Sequence, residues 1–229
     1  MEKKLNNGGI KKLLKSRKFR IICVFTGLFL ILLFAIWFTG LFRTPAHFRT
    51  VNFIEDHQVS QYLTNIILPE FYNKSQLGTP FEIVFSEEGI NDIVARHLDA
   101  KSLKRAGFSD VSITFKSGRI LLTAKTKYRN HDFVITAVLK PTVDKKGFNA
   151  GLSEIQAGTS SIPFAKDLIR ERVLYEIAGS SADVNFVSYA GMVFSDDKIE
   201  PEFSFNHRNL KIEKITIDNQ KLIVSFLPD

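Results

Sequence analysis

Residues 108–139 read FSDVSITFKSGRILLTAKTKYRNHDFVITAVL, and this stretch decides the fold. Apolar and polar side chains alternate with period two in three runs, which the polar turns 116–119 and 129–132 separate. A third turn leads into a fourth run through Phe148 and Ile155. Four alternating strands with tight turns predict an antiparallel meander, with one face buried and the other exposed or covered by another element.

Two helices are predicted ahead of the meander. In the first, Pro69 is expected to end a helical pattern that begins near Val59. A short strand, 81–85, then leads to Ser86, which is a good N-cap for a second helix because its hydroxyl can accept a bond from the first free N–H groups. His97 lies on the apolar face of that helix, and its spacing favours a half-buried structural histidine over a ligand or base.

A further helix and a strand pair are predicted after the meander. Ile162-Pro163 suits the first turn of a helix, and Gly179 is a natural stop. The segment 180–191 is weakly patterned, and alternating apolar residues over 199–226 predict a closing hairpin. The predicted class is therefore α+β, with a meander between helices.

Ahead of this domain, Ile21–Phe42 is a run of 22 residues without a charge. At 1.5 Å per residue it is about 33 Å long, enough for a bilayer core of roughly 30 Å. It is longer than the apolar core of a cleaved signal peptide, and no small-residue cleavage site follows it. A single transmembrane anchor is therefore expected, with Trp37 and Phe38 near its outer end.

Charge is concentrated on one side of the anchor. Of the 31 basic and 24 acidic residues, eight and one respectively lie in residues 1–20, so 23 of each remain in residues 43–229. The expected order is a tail at 1–20, a transmembrane helix at 21–42 in the plasma (inner) membrane, a linker at 43–50 and a domain at 51–229. The positive-inside rule predicts that the tail is cytoplasmic and the domain extracytoplasmic. A balanced domain argues against nucleic acid as a partner.

No catalytic or metal-binding motif stands out in the sequence. The five histidines are scattered without a metal-pair spacing, and the nucleophile, phosphate-loop and dinucleotide motifs are absent. Cys23 is the only cysteine and lies in the anchor, so the domain is expected to be stabilised by packing. We therefore expect a protein that is not an enzyme and has no cofactor, metal site or assignable ligand-binding residue.

Phenylalanine is unusually frequent, with 21 residues against one tryptophan and two methionines. Phenylalanine adds apolar bulk without a polar group. Two interpretations stay open: a phenylalanine-rich core, and an apolar groove that takes acyl chains. Composition does not separate them, because both need large apolar side chains that face inward.

Three segments carry a further pattern: FEIVFSEEGINDIVARHL (81–98), the stretch from VSITFKSGRILL to GTSSIP (111–163), and LKIEKITIDNQKLIVSFLP (210–228). They resemble small bacterial envelope proteins with TULIP-like (BPI-like) lipid-binding folds, including YpmS-type membrane proteins. The shared pattern includes a strand that ends in Lys140-Pro141 and another that ends in Gly158 before an Ile-Pro helix start. Residues 51–80 and 180–208 depart from it.

The resemblance implies a curved antiparallel sheet wrapped on a long helix, with an apolar channel between them that binds lipid. It carries over no catalytic or lining residue. The function expected from it is non-enzymatic lipid binding by a membrane-anchored domain. The alternative is a structural or scaffolding envelope protein that docks a membrane or cell-wall partner. A hydrolase of envelope material is the third and least supported hypothesis, because no motif favours it.

Overall fold

The computed structural model describes residues 17–51, 59–97, 104, 107–128, 131–144, 147–163, 165 and 198–228. Within them the chain is α+β and antiparallel, as predicted, and it begins with one apolar helix. Most of the predicted tail, residues 1–20, lies outside the described residues, as do nearly all of the helix predicted after Ile162 and the weakly patterned segment 180–191.

The described helices are α1 (Arg17–Leu41), α2 (Leu68–Gln76) and α3 (Glu87–His97), and a π-helical segment, Leu63–Ile67, leads directly into α2. The strands are β1 (Phe81–Ser86), β2 (Phe108–Lys116), β3 (Arg119–Tyr128), β4 (His131–Leu139), β5 (Thr142–Asp144), β6 (Gly147–Asn149), β7 (Leu152–Ala157), β8 (Ser160–Ser161), β9 (Glu202–Phe205), β10 (Arg208–Asp218) and β11 (Lys221–Pro228).

The strands form two main sheets rather than one meander with a closing hairpin. One has four strands in the order β1-β11-β10-β9, and the other has five in the order β2-β3-β4-β7-β8. The predicted closing hairpin is β10–β11, and β1 pairs along it from Phe81 opposite Phe226 to Ser86 opposite Lys221. A strand from the start of the domain therefore completes a sheet made at its end, a pairing that local pattern does not reveal.

Two local predictions were wrong. Pro69 does not end its helix, because it lies in the first turn of α2 after the π-helical segment, where a missing N–H is tolerated. The fourth strand of the meander is broken between β6 and β7, where Gly151 has a φ of +61° and its N–H bonds the Asn149 side chain. β6 pairs with β5 in a separate two-stranded ribbon.

The four-stranded sheet packs on α2 through phenylalanine side chains. The Phe71 ring contacts the rings of Phe81, Phe203, Phe205 and Phe226, with centroids 4.7–6.2 Å apart. Ile67, Ile83, Leu210 and Val224 complete this core. In this half of the domain, the phenylalanine-rich core predicted as one alternative is confirmed.

Helix side chains cover the free edges of two strands. On β1, the Lys74 ammonium donates to the Glu82 carbonyl, and the Tyr62 hydroxyl accepts the Ser86 N–H. On β2, Asn91 of α3 both donates to the Ile113 carbonyl at 2.7 Å and accepts the Ile113 N–H at 2.8 Å. Edge strands protected in this way do not present bare pairing groups to another chain.

The N-terminus of α3 is capped as predicted, since the Ser86 Oγ accepts the Gly89 N–H at 3.1 Å. His97 lies at the opposite end of this helix and is exposed, so the expected half-buried histidine is corrected. It falls in the last turn of the helix, and its periodic spacing overstated its burial.

Candidate functional site

The end of α1 is built into the five-stranded sheet. The Thr159 N–H donates to the Gly40 carbonyl at 2.9 Å, and the Ser160 Oγ donates to the Trp37 carbonyl at 2.8 Å. The Trp37 indole N–H in turn donates to the Ser161 carbonyl at 3.2 Å. The β7–β8 turn and β8 therefore donate hydrogen bonds to carbonyls at the end of α1.

This junction requires glycine at 158. Gly158 has a φ of +56°, and a Cβ at that position would lie 2.3 Å from the Gly40 carbonyl oxygen and 2.6 Å from that of Leu41. Only a residue without a side chain lets the turn approach the helix end this closely. α1 is the helix in the described residues that is long and apolar enough, by length and composition, to cross a membrane.

The segment 43–50, predicted as a linker, lies on the five-stranded sheet. Pro45 is buried, the His47 Nε2 lies 3.3 Å from the Thr136 hydroxyl, and the Thr114 hydroxyl donates to the His47 carbonyl at 3.2 Å. The connection from α1 to the sheet is therefore held by side-chain contacts. The spacing of the histidines gave no indication of this role for His47.

The sheet face beneath this segment, here called the hydroxyl face, consists of Ser112, Thr114, Thr123 and Thr136 with Leu121, Val134 and Val138. Ser112, Thr123 and Thr136 lie opposite one another on adjacent strands and are 1%, 0% and 0% exposed. The Thr123 and Thr136 hydroxyls are 3.4 Å apart, while the buried Ser112 Oγ has no hydrogen-bond partner among the described residues.

The opposite face, here called the aliphatic face, is less completely covered. Leu139, Leu152 and Ile155 are buried at the β4–β7 side, where Ile162 and Ala165 pack on them. Phe115 of β2 and Ala157 of β7 are also buried on this face. The other side chains of the face are partly buried: Val111, Ile113, Ile120, Leu122, Ala124, Ile135 and Ala137. Alternation alone predicts the reverse, with the aliphatic side chains buried and the hydroxyls exposed.

A polar cleft of about 300 Å³ opens where the two sheets meet, and it is lined by Ala46, His47, Arg49, Glu87, Thr114, Phe115, Lys116, Asn219 and Gln220. The buried Glu87 Oε2 accepts the Phe115 N–H at 2.7 Å, and its Oε1 lies 3.8 Å from Arg49. Burial first, and the nearby Lys116 ammonium second, hold the pKa of His47 below its ordinary value.

The cleft brings four ionisable side chains together, those of His47, Arg49, Glu87 and Lys116. Glu87 is committed to a backbone N–H of the neighbouring strand, which makes it part of the contact between the sheets. His131 contacts Phe42 at the end of α1 and His207 lies in the β9–β10 turn, so neither joins His47. Within the described residues, no group of three or more His, Cys, Asp or Glu side chains could hold a metal ion.

Sequence reasoning missed the role of Gly158 at the junction between α1 and the sheet, and the role of Asn91 at the free edge of β2. Gly158 follows a strand, and Asn91 follows an acidic cap, which are weak signals because their partners are distant in sequence. Compared with protein-family models, curated proteins and solved structures, the chain has no match.

Proposed function

We propose that this protein is a membrane-anchored, non-enzymatic extracytoplasmic protein that binds lipid acyl chains on the aliphatic face of its five-stranded sheet. The observation that carries the proposal is the junction, where the last turn of the apolar helix α1 is hydrogen-bonded to the β7–β8 edge of that same sheet. A sheet attached in this way stays within reach of bilayer lipids. Tethering raises the effective concentration of a binding surface beside its ligand.

The aliphatic face has the chemistry that acyl chains require. It presents leucine, isoleucine, valine and alanine side chains on three adjacent strands, and among them Val111, Ile113, Leu122 and Ala137 are only partly buried. Burial of each methylene of an acyl chain contributes about 0.8 kcal/mol. The four-stranded sheet is a poorer site, since phenylalanine rings already fill the space between it and α2.

The proposed orientation has the tail, residues 1–20, in the cytoplasm of a cell with a plasma (inner) membrane. Eight basic residues and one acidic residue in this tail support that orientation. The 21 residues of Ile21–Leu41 are about 31 Å long as a helix, which matches the hydrocarbon thickness of a bilayer. Its side chains are exposed in the folded chain, as lipid-facing side chains would be.

The proposal is tested with the full chain in lipid nanodiscs that contain a phospholipid carrying a photoreactive diazirine on its acyl chain. After irradiation, mass spectrometry maps the crosslinked residues. Crosslinks on α1 are expected in every case and report insertion. Crosslinks at Ile113, Leu122 and Ala137 are expected if acyl chains occupy the aliphatic face, and crosslinks confined to α1 would refute the proposal.

A matched pair of variants sharpens this test. Leu122→Glu places a carboxylate on the aliphatic face and should abolish crosslinking there, because burying a charge beside an acyl chain is unfavourable. Glu213→Gln alters an exposed residue of the other sheet and should leave the crosslinks unchanged. Equal crosslinking of the aliphatic face in both variants would show that the labelled lipid is not bound in the proposed way.

The second candidate is a structural or scaffolding envelope protein that docks a protein partner. The packed phenylalanine core and the hydrogen-bonded junction favour a scaffold, because both limit movement of the domain relative to α1. In-cell crosslinking from exposed positions of the domain should then capture one partner reproducibly. This outcome together with crosslinks confined to α1 would favour the scaffold over the lipid-binding protein.

A further inference from the structure

One end of the five-stranded sheet carries the β3–β4 turn. It begins after Val134, whose carbonyl accepts the Gly158 N–H. This basal end comprises residues 107–110, 125–128 and 131–133. The strand register brings them together, since Thr126 lies opposite both Phe108 and Phe133. The opposite end of the sheet carries the β2–β3 turn at Ser117.

The basal end lies beside the last turns of α1 rather than beyond them. The His131 ring is 6.1 Å from the Phe42 ring, which is itself 5.4 Å from the Phe38 ring. The Ser160 hydroxyl reaches the Trp37 carbonyl, four residues before the helix ends. Four residues of helix correspond to about 6 Å, so the domain reaches back along the helix by roughly the depth of a lipid headgroup layer.

The side chains at this end suit a membrane interface. Aromatic rings of Phe42, Phe108, Phe133 and His131 are exposed or partly exposed. The basal end itself carries Lys125 and Lys127 against Asp110 and Asp132, and the adjoining described residues Arg43 and Lys104 add two positive charges. The Lys125–Asp132 ion pair at 3.1 Å leaves the excess on the other residues. Aromatic and basic side chains together favour the headgroup region.

We infer that the basal end of the five-stranded sheet is seated in the phospholipid headgroup layer of the leaflet from which α1 emerges, with a preference for acidic headgroups. The inference rests on the proposed anchoring of the protein by α1. Headgroup contact holds the edge of the aliphatic face at the lipid surface. It thereby defines the route by which an acyl chain leaves the leaflet and reaches the proposed binding face.

The test compares two exposed serines at opposite ends of one strand pair, Ser109 and Ser117. Each is changed to cysteine in a Cys23→Ser background, labelled with bimane, and placed as full-length protein in nanodiscs with a headgroup-quencher lipid. Eight strand residues span about 26 Å, several times the thickness of a headgroup layer. The probe at 109 should lose several-fold more emission than the probe at 117, and equal quenching at both would overturn the inference.

The charge preference is tested with Lys127→Glu at the basal end and Lys221→Glu on the other sheet as its matched control. In nanodiscs with phosphatidylglycerol, the first should reduce quenching at position 109 and the second should not. Both should have no effect in nanodiscs of phosphatidylcholine alone, where the electrostatic attraction is absent. Equal effects of the two variants would overturn the preference for acidic headgroups.

The outcomes separate this inference from the proposed function. Quenching at 109 without acyl crosslinks on the sheet would refute lipid binding on the aliphatic face and support headgroup contact. Acyl crosslinks on the sheet with equal quenching at both positions would support lipid binding on the aliphatic face and refute headgroup contact. Protein that remains outside the nanodiscs would overturn the anchoring and, with it, both proposals.

Discussion

The two sheets of this domain are packed differently although both are made of alternating strands. The four-stranded sheet buries its apolar side chains against α2, where phenylalanine rings meet edge to face. The five-stranded sheet buries its hydroxyl face under the segment that follows α1 and leaves much of its aliphatic face partly exposed. The first arrangement is typical of a stability core, whereas in the second the described residues leave several apolar side chains only partly buried.

The largest expected effect comes from Phe226→Ala in the four-stranded sheet. Phe226 is 4% exposed and contacts the rings of Phe71, Phe81 and Phe203, so the truncation leaves a cavity in a packed cluster. We expect a loss of about 3–5 kcal/mol in the free energy of unfolding. Denaturant titration of the full chain in micelles, followed by circular dichroism, measures it.

Leu122→Ala is the matched change on the aliphatic face of the five-stranded sheet. Its side chain is partly exposed, so we expect a loss of less than about 2 kcal/mol. Equal losses at positions 122 and 226 would show that both faces serve as cores, and the contrast between the sheets would disappear.

Gly158→Ala should break the junction between α1 and the five-stranded sheet. Its Cβ would strike backbone oxygens of residues 40 and 41, which cannot move without bending the helix end. Hydrogen exchange of the Thr159 amide, which is bonded to the Gly40 carbonyl, should become faster by at least about tenfold, equivalent to about 1.4 kcal/mol.

Gly118→Ala separates the clash from the backbone strain. Gly118 has a similar positive φ, +70°, but a Cβ there meets nothing within 4 Å. We expect about 1 kcal/mol of general destabilisation and no specific change at Thr159. An equal increase in the exchange rate of the Thr159 amide in both variants would contradict a role for the close approach of Gly158 to the end of α1.

Asn91→Leu should expose the free edge of β2 on the same sheet. It removes two bonds to Ile113 and leaves that residue's N–H and carbonyl without their side-chain partner. Lost partners of this kind cost about 1–3 kcal/mol each. Asn73→Leu, at an exposed position of α2, is the control and should change stability by less than about 0.5 kcal/mol. A comparable loss in both would mean that the edge contacts contribute little.

The smallest effect concerns pH and the hydroxyl face. The pKa of His47 is lower in the folded chain than its ordinary value of about 6.5, so the unfolded chain binds more protons as the pH falls through that value. Stability should therefore decrease below about pH 6.5 and level off once the pH is below the folded pKa. Thermal unfolding of the full chain at a series of pH values measures the change.

His47→Gln should flatten this pH dependence, because glutamine keeps a polar contact for Thr136 but does not titrate. The charged side chains of Lys116, Arg49 and Glu87 also face the cleft. An unchanged pH profile in the variant would assign the dependence to another group.

Local pattern predicted much of the fold. The strands β1 to β4 and the Ser86 cap followed from alternation and capping chemistry, and the apolar helix followed from the uncharged run after Arg20. Errors occurred where the chain departs from regular geometry, at the π-helical segment before Pro69 and at the break at Gly151. Such irregularities depend on a few bonds that period-based reasoning does not include.

The candidate site was much less predictable than the strands. Trp37 and Ser161 are 124 positions apart, and His47 and Thr136 are 89 apart. Neither pair has a local signature, because each contact exists only after the sheets have assembled. The hydroxyl face shows the same limit, since Ser112, Thr123 and Thr136 look like surface residues until the segment after α1 covers them.

By itself, the sequence determined the elements that depend on neighbours a few residues apart: an apolar helix able to span a bilayer, alternating strands, their turns, and an α+β class. The tertiary structure alone decided that the strands divide into two sheets. It also decided that phenylalanine rings pack between the four-stranded sheet and α2, and that the end of α1 is hydrogen-bonded to the five-stranded sheet. The physical reason is that hydrogen-bond partners and burial across a sheet are set by chain segments far apart in sequence, whereas periodicity reports only which side chains share a face.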